Sequence, residues 1–178
     1  MTGTDLPQLL PNLLPRLWGF ALRLSGNRQD AEDLVQRTCL RALERQHQLK
    51  PDSSPHSWLF AIAHTIWLNE IRARGIRNRT HVAWDDALLE VIADPAAPSP
   101  ETLVMHRQIV RAVAHLPHAQ RTVLLLVAVE GFTYSEAAAT LGVPIGTVMS
   151  RLARARRSIG ALAGETPPRA PAELTRPL

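Results

Sequence analysis

Sulfur and aromatic side chains are scarce in this chain of 178 residues: it has one cysteine and one tyrosine, and Phe, Trp and Tyr together make 4%. The lone Cys39 excludes an intramolecular disulfide, and its place near Val35 and Leu43 in a helical pattern reads as a small core residue. No apolar run approaches the ~20 residues that a membrane helix needs. The N-terminus has no charged start followed by an apolar core, so the expectation is a cytoplasmic protein without a cleaved leader. No stretch alternates apolar and polar residues over a useful length, which argues against a sheet. A Gly-rich phosphate loop is absent, as is any Cys/His spacing of metal-site type, and Ser and His are scattered without a nucleophile context. No metal, no cofactor and no intrinsic catalysis are therefore expected. His115 and His118, which flank Pro117, read as ordinary surface residues.

Alanine, leucine and arginine dominate instead, with 46% hydrophobic residues. This is an all-α composition. The net charge is only +4, but its distribution is informative. Arg72, Arg74, Arg77 and Arg79 form one basic cluster, and Arg151, Arg154, Arg156 and Arg157 form another. Between them Asp85, Asp86, Glu90, Asp94 and Glu101 stand with no Lys or Arg from 85 to 101. Two basic patches separated by an acidic strap suit two contacts on one polyanion.

Punctuation divides the chain into two small helical domains on a flexible tether. Leu9 to Ser25 is apolar-periodic, with Pro15 placed near the start of its best helix. Gly26 interrupts it, and Asn27 suits the cap of a second helix reaching about Gln46. Asp30, Glu32 and Asp33 in its first turns oppose the helix dipole favourably. Lys50 to Ser57 reads as a loop, followed by a third helix from Trp58 to about Arg74 that is apolar nearly all round before turning basic. Residues 9–80 make the first domain and 81–102 an acidic, proline-rich linker. The second domain spans 103–160. Its first helix carries Leu103, Ile109, Val110, Val113 and Leu116 and ends at Pro117; Ala119 to Val129 is a strongly apolar helix stopped by Gly131. Residues 161–178 read as a disordered tail. There is no internal repeat.

Residues 132–157, FTYSEAAATLGVPIGTVMSRLARARR, read as a helix-turn-helix. Gly142 is free to take the left-handed conformation that closes the first helix, and Pro144 suits the start of the next. There Ile145, Val148, Leu152, Ala155 and Ile159 make one inward apolar stripe. The opposite face, with Gly146, Ser150, Ala153, Arg154 and Arg157 flanked by Thr147, Met149, Arg151 and Arg156, is small, polar and cationic. It suits insertion into a major groove.

In their order and spacing, DAEDLVQRTCLRAL at 30–43, WLFAIAHTIWLNEIRAR at 58–74 and the segment from Leu116 to Arg156 resemble the extracytoplasmic-function (ECF) group of bacterial RNA polymerase sigma factors. The resemblance covers roughly residues 9 to 160. It implies a sigma region 2-like domain that docks on core RNA polymerase and opens the minus-ten element, and a region 4-like domain that grips the minus-thirty-five duplex of promoter DNA. Asp33, Gln36, Arg37 and Leu40, which share one face of the second helix, would dock on polymerase; relatives usually carry an acidic residue where Arg37 stands. His56, Trp58, Trp67 and Asn69 would hold the opened strand, and Arg72, Arg74, Arg77 and Arg79 would track its backbone. Trp58 and Trp67 also fit a core role, and Pro55-His56 replaces an aromatic pair common in relatives. At minus thirty-five, Arg151 or Arg154 would contact guanine, Met149 a thymine methyl, and Ser150, Thr147 and Arg157 further base or phosphate groups. When free, the domains would pack together or be held by an anti-sigma factor.

Two other classes stay open on the residues alone. A stand-alone helix-turn-helix regulator would leave the first domain unexplained, and a sigma-mimicking decoy of an anti-sigma factor has no need of arginines on the recognition helix. Arg154→Ala is expected to weaken duplex binding at one promoter position by about 1–3 kcal/mol. Competition binding against single-base promoter variants reads this, and uniform loss across sequences would make Arg154 a phosphate contact instead.

Overall fold

A computed structural model of the protein describes residues 6–77 and 100–163, and every regular element among them is helical. Helices α1 (Leu6–Ser25), α2 (Arg28–Glu44) and α3 (Pro55–Arg77) make a first module, with a 3₁₀ turn at Gln46–Gln48. A second module holds α4 (Pro100–Ala114), α5 (His118–Leu124), α6 (Tyr134–Leu141) and α7 (Ile145–Ala163). Arg79, the acidic strap at 85–94 and residues 164–178 lie outside the described residues. No described helix is long and apolar enough to cross a membrane.

Periodic burial explains the first module. In α2, Ala31, Leu34, Thr38 and Ala42 are buried at spacings of three and four, and α1 lays Leu6, Leu10, Leu17, Phe20 and Leu24 against the same core. Thr38 is tolerated there because its hydroxyl donates to Leu34 O at 2.6 Å. Asn27 caps α2 as expected, its side chain accepting from the Asp30 N–H at 3.1 Å. Gly26, at φ 68°, makes the tight corner before it.

Several boundaries differ from the sequence reading. α1 starts at Leu6 and continues through Pro11 and Pro15; each proline forfeits one backbone bond, and burial of the apolar face outweighs that loss. α3 begins at Pro55, inside the expected loop, because Ser54 caps it: Ser54 Oγ accepts from the Ser57 N–H at 3.3 Å, and Pro55 occupies the first turn. α4 begins at Pro100, so the last residues of the expected linker are helical. The expected helix over 119–129 is α-helical only to Leu124; Leu125–Val129 form a π turn, with the Glu130 N–H reaching Leu125 O at 3.0 Å.

The helix-turn-helix closes as its turn residues require. Thr133 and Glu136 form a reciprocal capping box at the start of α6. Gly142 ends it at φ 64° and ψ 36°, and the N–H groups of Gly142 and Val143 return to Ala139 O and Ala138 O at 3.3 and 3.1 Å. On α7, Val148, Leu152 and Ala155 are buried and Ile159 is half-buried, but Ile145 is 48% exposed. It sits in the first turn, ahead of the packed seam. Thr133→Ala should destabilise the protein by about 1 kcal/mol, since the hydroxyl is exposed and its contribution is the cap alone. Chemical denaturation followed by helicity measures this, and an unchanged midpoint would show that the capping box contributes nothing.

Candidate nucleic-acid interface

The residues assigned to polymerase docking share an open face. Asp33, Gln36, Arg37 and Leu40 are all exposed on α2, Leu40 to 61%. Arg37 donates to Asp33 Oδ2 at 3.2 Å and to Glu70 Oε2 at 3.3 Å. The Asp33 bond, then Glu70, holds the Arg37 guanidinium further in its charged form. The Glu70 carboxyl is lowered by its bonds to Arg74 and Arg37.

Beside this face, α2 and α3 enclose a cleft of about 310 Å³ lined by Arg37, Arg41, Arg45, Trp58, Asn69 and neighbouring α3 residues. Trp58 is half-buried at its wall and Asn69 is exposed. Arg41 and Arg45 form no ion pair among the described residues. A cationic rim around an indole and an amide suits a nucleotide, offering a stacking face, a hydrogen-bonding group and phosphate partners. Arg41 and Arg45 were not among the expected site residues. Their signal was legible: Arg37, Arg41 and Arg45 recur every four residues along one helix face.

The other residues assigned to the opened strand divide. Arg72 is exposed. Arg74 is engaged inside the first module, donating to both Asp30 oxygens at 2.7 and 2.8 Å and to Glu70 Oε1 at 2.9 Å. These bonds, Asp30 first, raise its pKa, and the guanidinium also lies 5.7 Å from the centre of the Trp67 ring. Arg77 is the last residue of α3, and Arg79 lies outside the described residues. His56 and Trp67 face the second module. The His56 ring packs 4.5 Å from Phe60 and 4.9 Å from Phe132, with Nε2 3.6 Å from Glu130 Oε2. Trp67 is 5% exposed and donates its indole N–H to His118 Nδ1 at 3.3 Å. His118 is thus not a surface residue: burial, then His64, Arg121 and Arg151, lower its pKa to about 4. His115 is exposed.

On α7, Met149, Ser150, Arg154 and Arg157 are exposed, while Thr147 and Arg151 are half-buried. Ser150 Oγ donates to Thr147 O at 3.1 Å, keeping its lone pairs outward. The exposed arginines leave a cationic outer face, as major-groove entry requires.

Two arginines tie the modules together. Arg16 donates to Glu130 Oε2 at 3.1 Å and to Glu130 O at 2.7 Å. Arg121 donates to Leu24 O of α1 at 2.9 Å, and within its own module to the carbonyls of Val113, Ala114 and Leu116. Burial lowers its pKa.

Residues 10–76 match the family model described as Sigma-70 region 2, and residues 106–159 match Sigma-70, region 4. These are two modules of the sigma-70 class of transcription-initiation factor, in one chain. The chain is 36% identical over 149 residues to the ECF RNA polymerase sigma factor EcfG of Rhodopseudomonas palustris, covering 84% of this chain and 80% of that one. It is 37% identical over 144 residues to the ECF RNA polymerase sigma factor SigC of Mycobacterium tuberculosis, covering 80% and 75%. Among solved structures, the sigma factor RpoE in complex with the anti-sigma factor NepR, from Bartonella quintana, superposes with a TM-score of 0.71 at 30% identity, covering 90% of this chain and 97% of that one. CnrH in complex with the cytosolic domain of CnrY superposes with a TM-score of 0.64 at 26% identity, covering 89% and 87%. The chain belongs to the ECF RNA polymerase sigma factors and directs transcription initiation, binding core RNA polymerase and promoter DNA.

Arg121→Ala should destabilise the protein by about 2–4 kcal/mol, because buried carbonyls lose a charged donor. Thermal unfolding of the full chain measures this. A loss below about 1 kcal/mol would mean that water replaces the guanidinium.

Proposed function

We propose that the exposed face of α2 docks on core polymerase and that the cleft beside it holds the opened minus-ten strand. The observation that carries this reading is their adjacency: a strand held by Trp58, Asn69, Arg41 and Arg45 would lie against the docked polymerase. Arg72 extends the same cationic track, while Arg74 positions Trp67 and the end of α3. His56 would join the site once the second module moves away. The outer face of α7 reads the minus-thirty-five duplex, with Arg154, Ser150 and Met149 at base edges and Arg157 and Thr147 on phosphates. Arg151, half-buried, completes that contact when the modules separate. The reaction itself belongs to polymerase; this factor supplies positioning and strand capture.

An anti-sigma factor fits the same reading. The solved relatives carry NepR and CnrY, and here a mainly apolar cavity of about 310 Å³ is lined by Ile109, Val110, Val113, Val129 and Ile159, while α4, which supplies part of that lining, also exposes Val104 and Met105. Such a surface matches the apolar face of a partner helix.

Run-off transcription with purified core polymerase and a promoter library tests the whole proposal. The expected products share two upstream elements at fixed spacing. Leu40→Asp should weaken core binding at least tenfold, whereas the Arg41→Ala/Arg45→Ala pair should leave core binding intact and reduce open-complex formation about tenfold or more. Retained duplex binding without any transcription would point to a stand-alone regulator.

A further inference from the structure

The two modules meet along a seam whose ends differ in chemistry. At one end Arg16 and His56 face the buried Glu130 carboxylate. At the other, Trp67 of α3 donates to His118 of α5. Only an imidazole with a bare Nδ1 can accept that bond, so the ring proton sits on Nε2, 3.4 Å from Thr122 Oγ1. The Thr122 hydroxyl donates to His118 O at 3.0 Å, which leaves its lone pairs for the imidazole N–H.

The fixed charges named around this contact are cationic: Arg121 from α5 and Arg151 from α7 act on His118, Arg151 and Arg72 act on the neighbouring His64 of α3, and the Arg74 guanidinium lies over the Trp67 ring. Arg74 is itself paired with the Asp30 and Glu70 carboxylates.

We propose that the Trp67–His118 contact is a proton-sensitive latch, and that protonation of His118, with His64 beside it, separates the two modules and frees the aromatic face of α3. A proton on Nδ1 would set two donors against each other and add positive charge to a cationic cluster. Burial and these neighbours hold His118 at about 4 in the closed form, against an ordinary 6.5, and they lower His64 as well. The closed form therefore binds the proton more weakly. Closure is fully present above about pH 6.5 and is lost progressively as pH falls toward 4. From pH 7.5 to 5, His118 alone weakens closing about 30-fold.

The latch is a statement about conformation; its consequence for promoter opening rests on the minus-ten assignment above. The test uses the full chain with Cys39→Ser and dye-bearing cysteines introduced at the exposed positions Glu44 and Gln108. Energy transfer should fall from pH 7.5 to 5 while far-ultraviolet helicity is retained. The His64→Gln/His118→Gln pair should stay closed, since a glutamine amide oxygen still accepts the indole N–H but does not titrate. Trp67→Phe should open at a higher pH than the parent protein. An unchanged transfer efficiency in the parent protein, the same pH response in the double variant, or simultaneous loss of helicity overturns the proposal. Single-stranded minus-ten DNA should bind the open form at least tenfold more tightly. If that arm alone fails while the distance response holds, the minus-ten assignment falls and the latch stands.

Discussion

A continuous apolar run must be covered from more than one side, and the described structure is arranged around that constraint. Thr122, Val123, Leu124, Leu125 and Leu126 are all buried, although no single helix face holds five successive residues. Helix α7 covers one side of this run, and α1 of the other module covers another. Helices of both modules cover the run, so association of the modules completes its burial. Phe132 follows the π turn into the seam, 5.8 Å from Phe60, which in turn lies 4.9 Å from Phe20. Aromatic pairs of this kind each contribute about 0.5–1.5 kcal/mol beyond area burial. The apolar core is thereby continuous between the two modules.

Polar groups then define how the modules sit. Glu130 is 7% exposed, and Arg16 makes that burial tolerable by binding both its carboxylate and its carbonyl. Arg121 gathers carbonyls from the end of α4 and from α1 around one guanidinium. Hydrogen bonds of this type have defined directions, which apolar contact lacks, so they select one docking geometry among many of similar area. The same closure separates surfaces that are ready from surfaces that are covered. The α2 face, the cationic cleft and most of the outer face of α7 are open, whereas His56 and Trp67 are engaged with the second module. On the proposed assignment of the α2 face, polymerase docking would not need the modules to separate first.

The basic end of α3 shows how charge can serve architecture. Read along the chain, Arg72 and Arg74 are equivalent members of one cluster. In the fold, Arg72 is exposed, while Arg74 is bidentate on Asp30 and bonded to Glu70. A planar guanidinium matches a carboxylate edge in a way that a solvated surface charge does not. Arg74 thus ties α3 to the start of α2, and Arg37 repeats the tie through Glu70.

Most of the helical architecture was legible in the residues, because its signals are local. Asn27 announces α2, Gly142 and Pro144 mark the turn of the helix-turn-helix, and the buried stripe through Val148, Leu152 and Ala155 follows helical period. Ser54-Pro55 marked the start of α3 as clearly, and the arginines at 37, 41 and 45 marked the cleft. What the residues could not show was which faces meet. Helical periodicity states that a side has to be buried, and is silent about the partner that buries it. Arg16 and Glu130 are separated by 114 positions, and Trp67 and His118 by 51. Only the tertiary arrangement could make His56 and Trp67 part of a seam, turn His118 from a surface histidine into a half-buried acceptor, and divide Arg72 from Arg74.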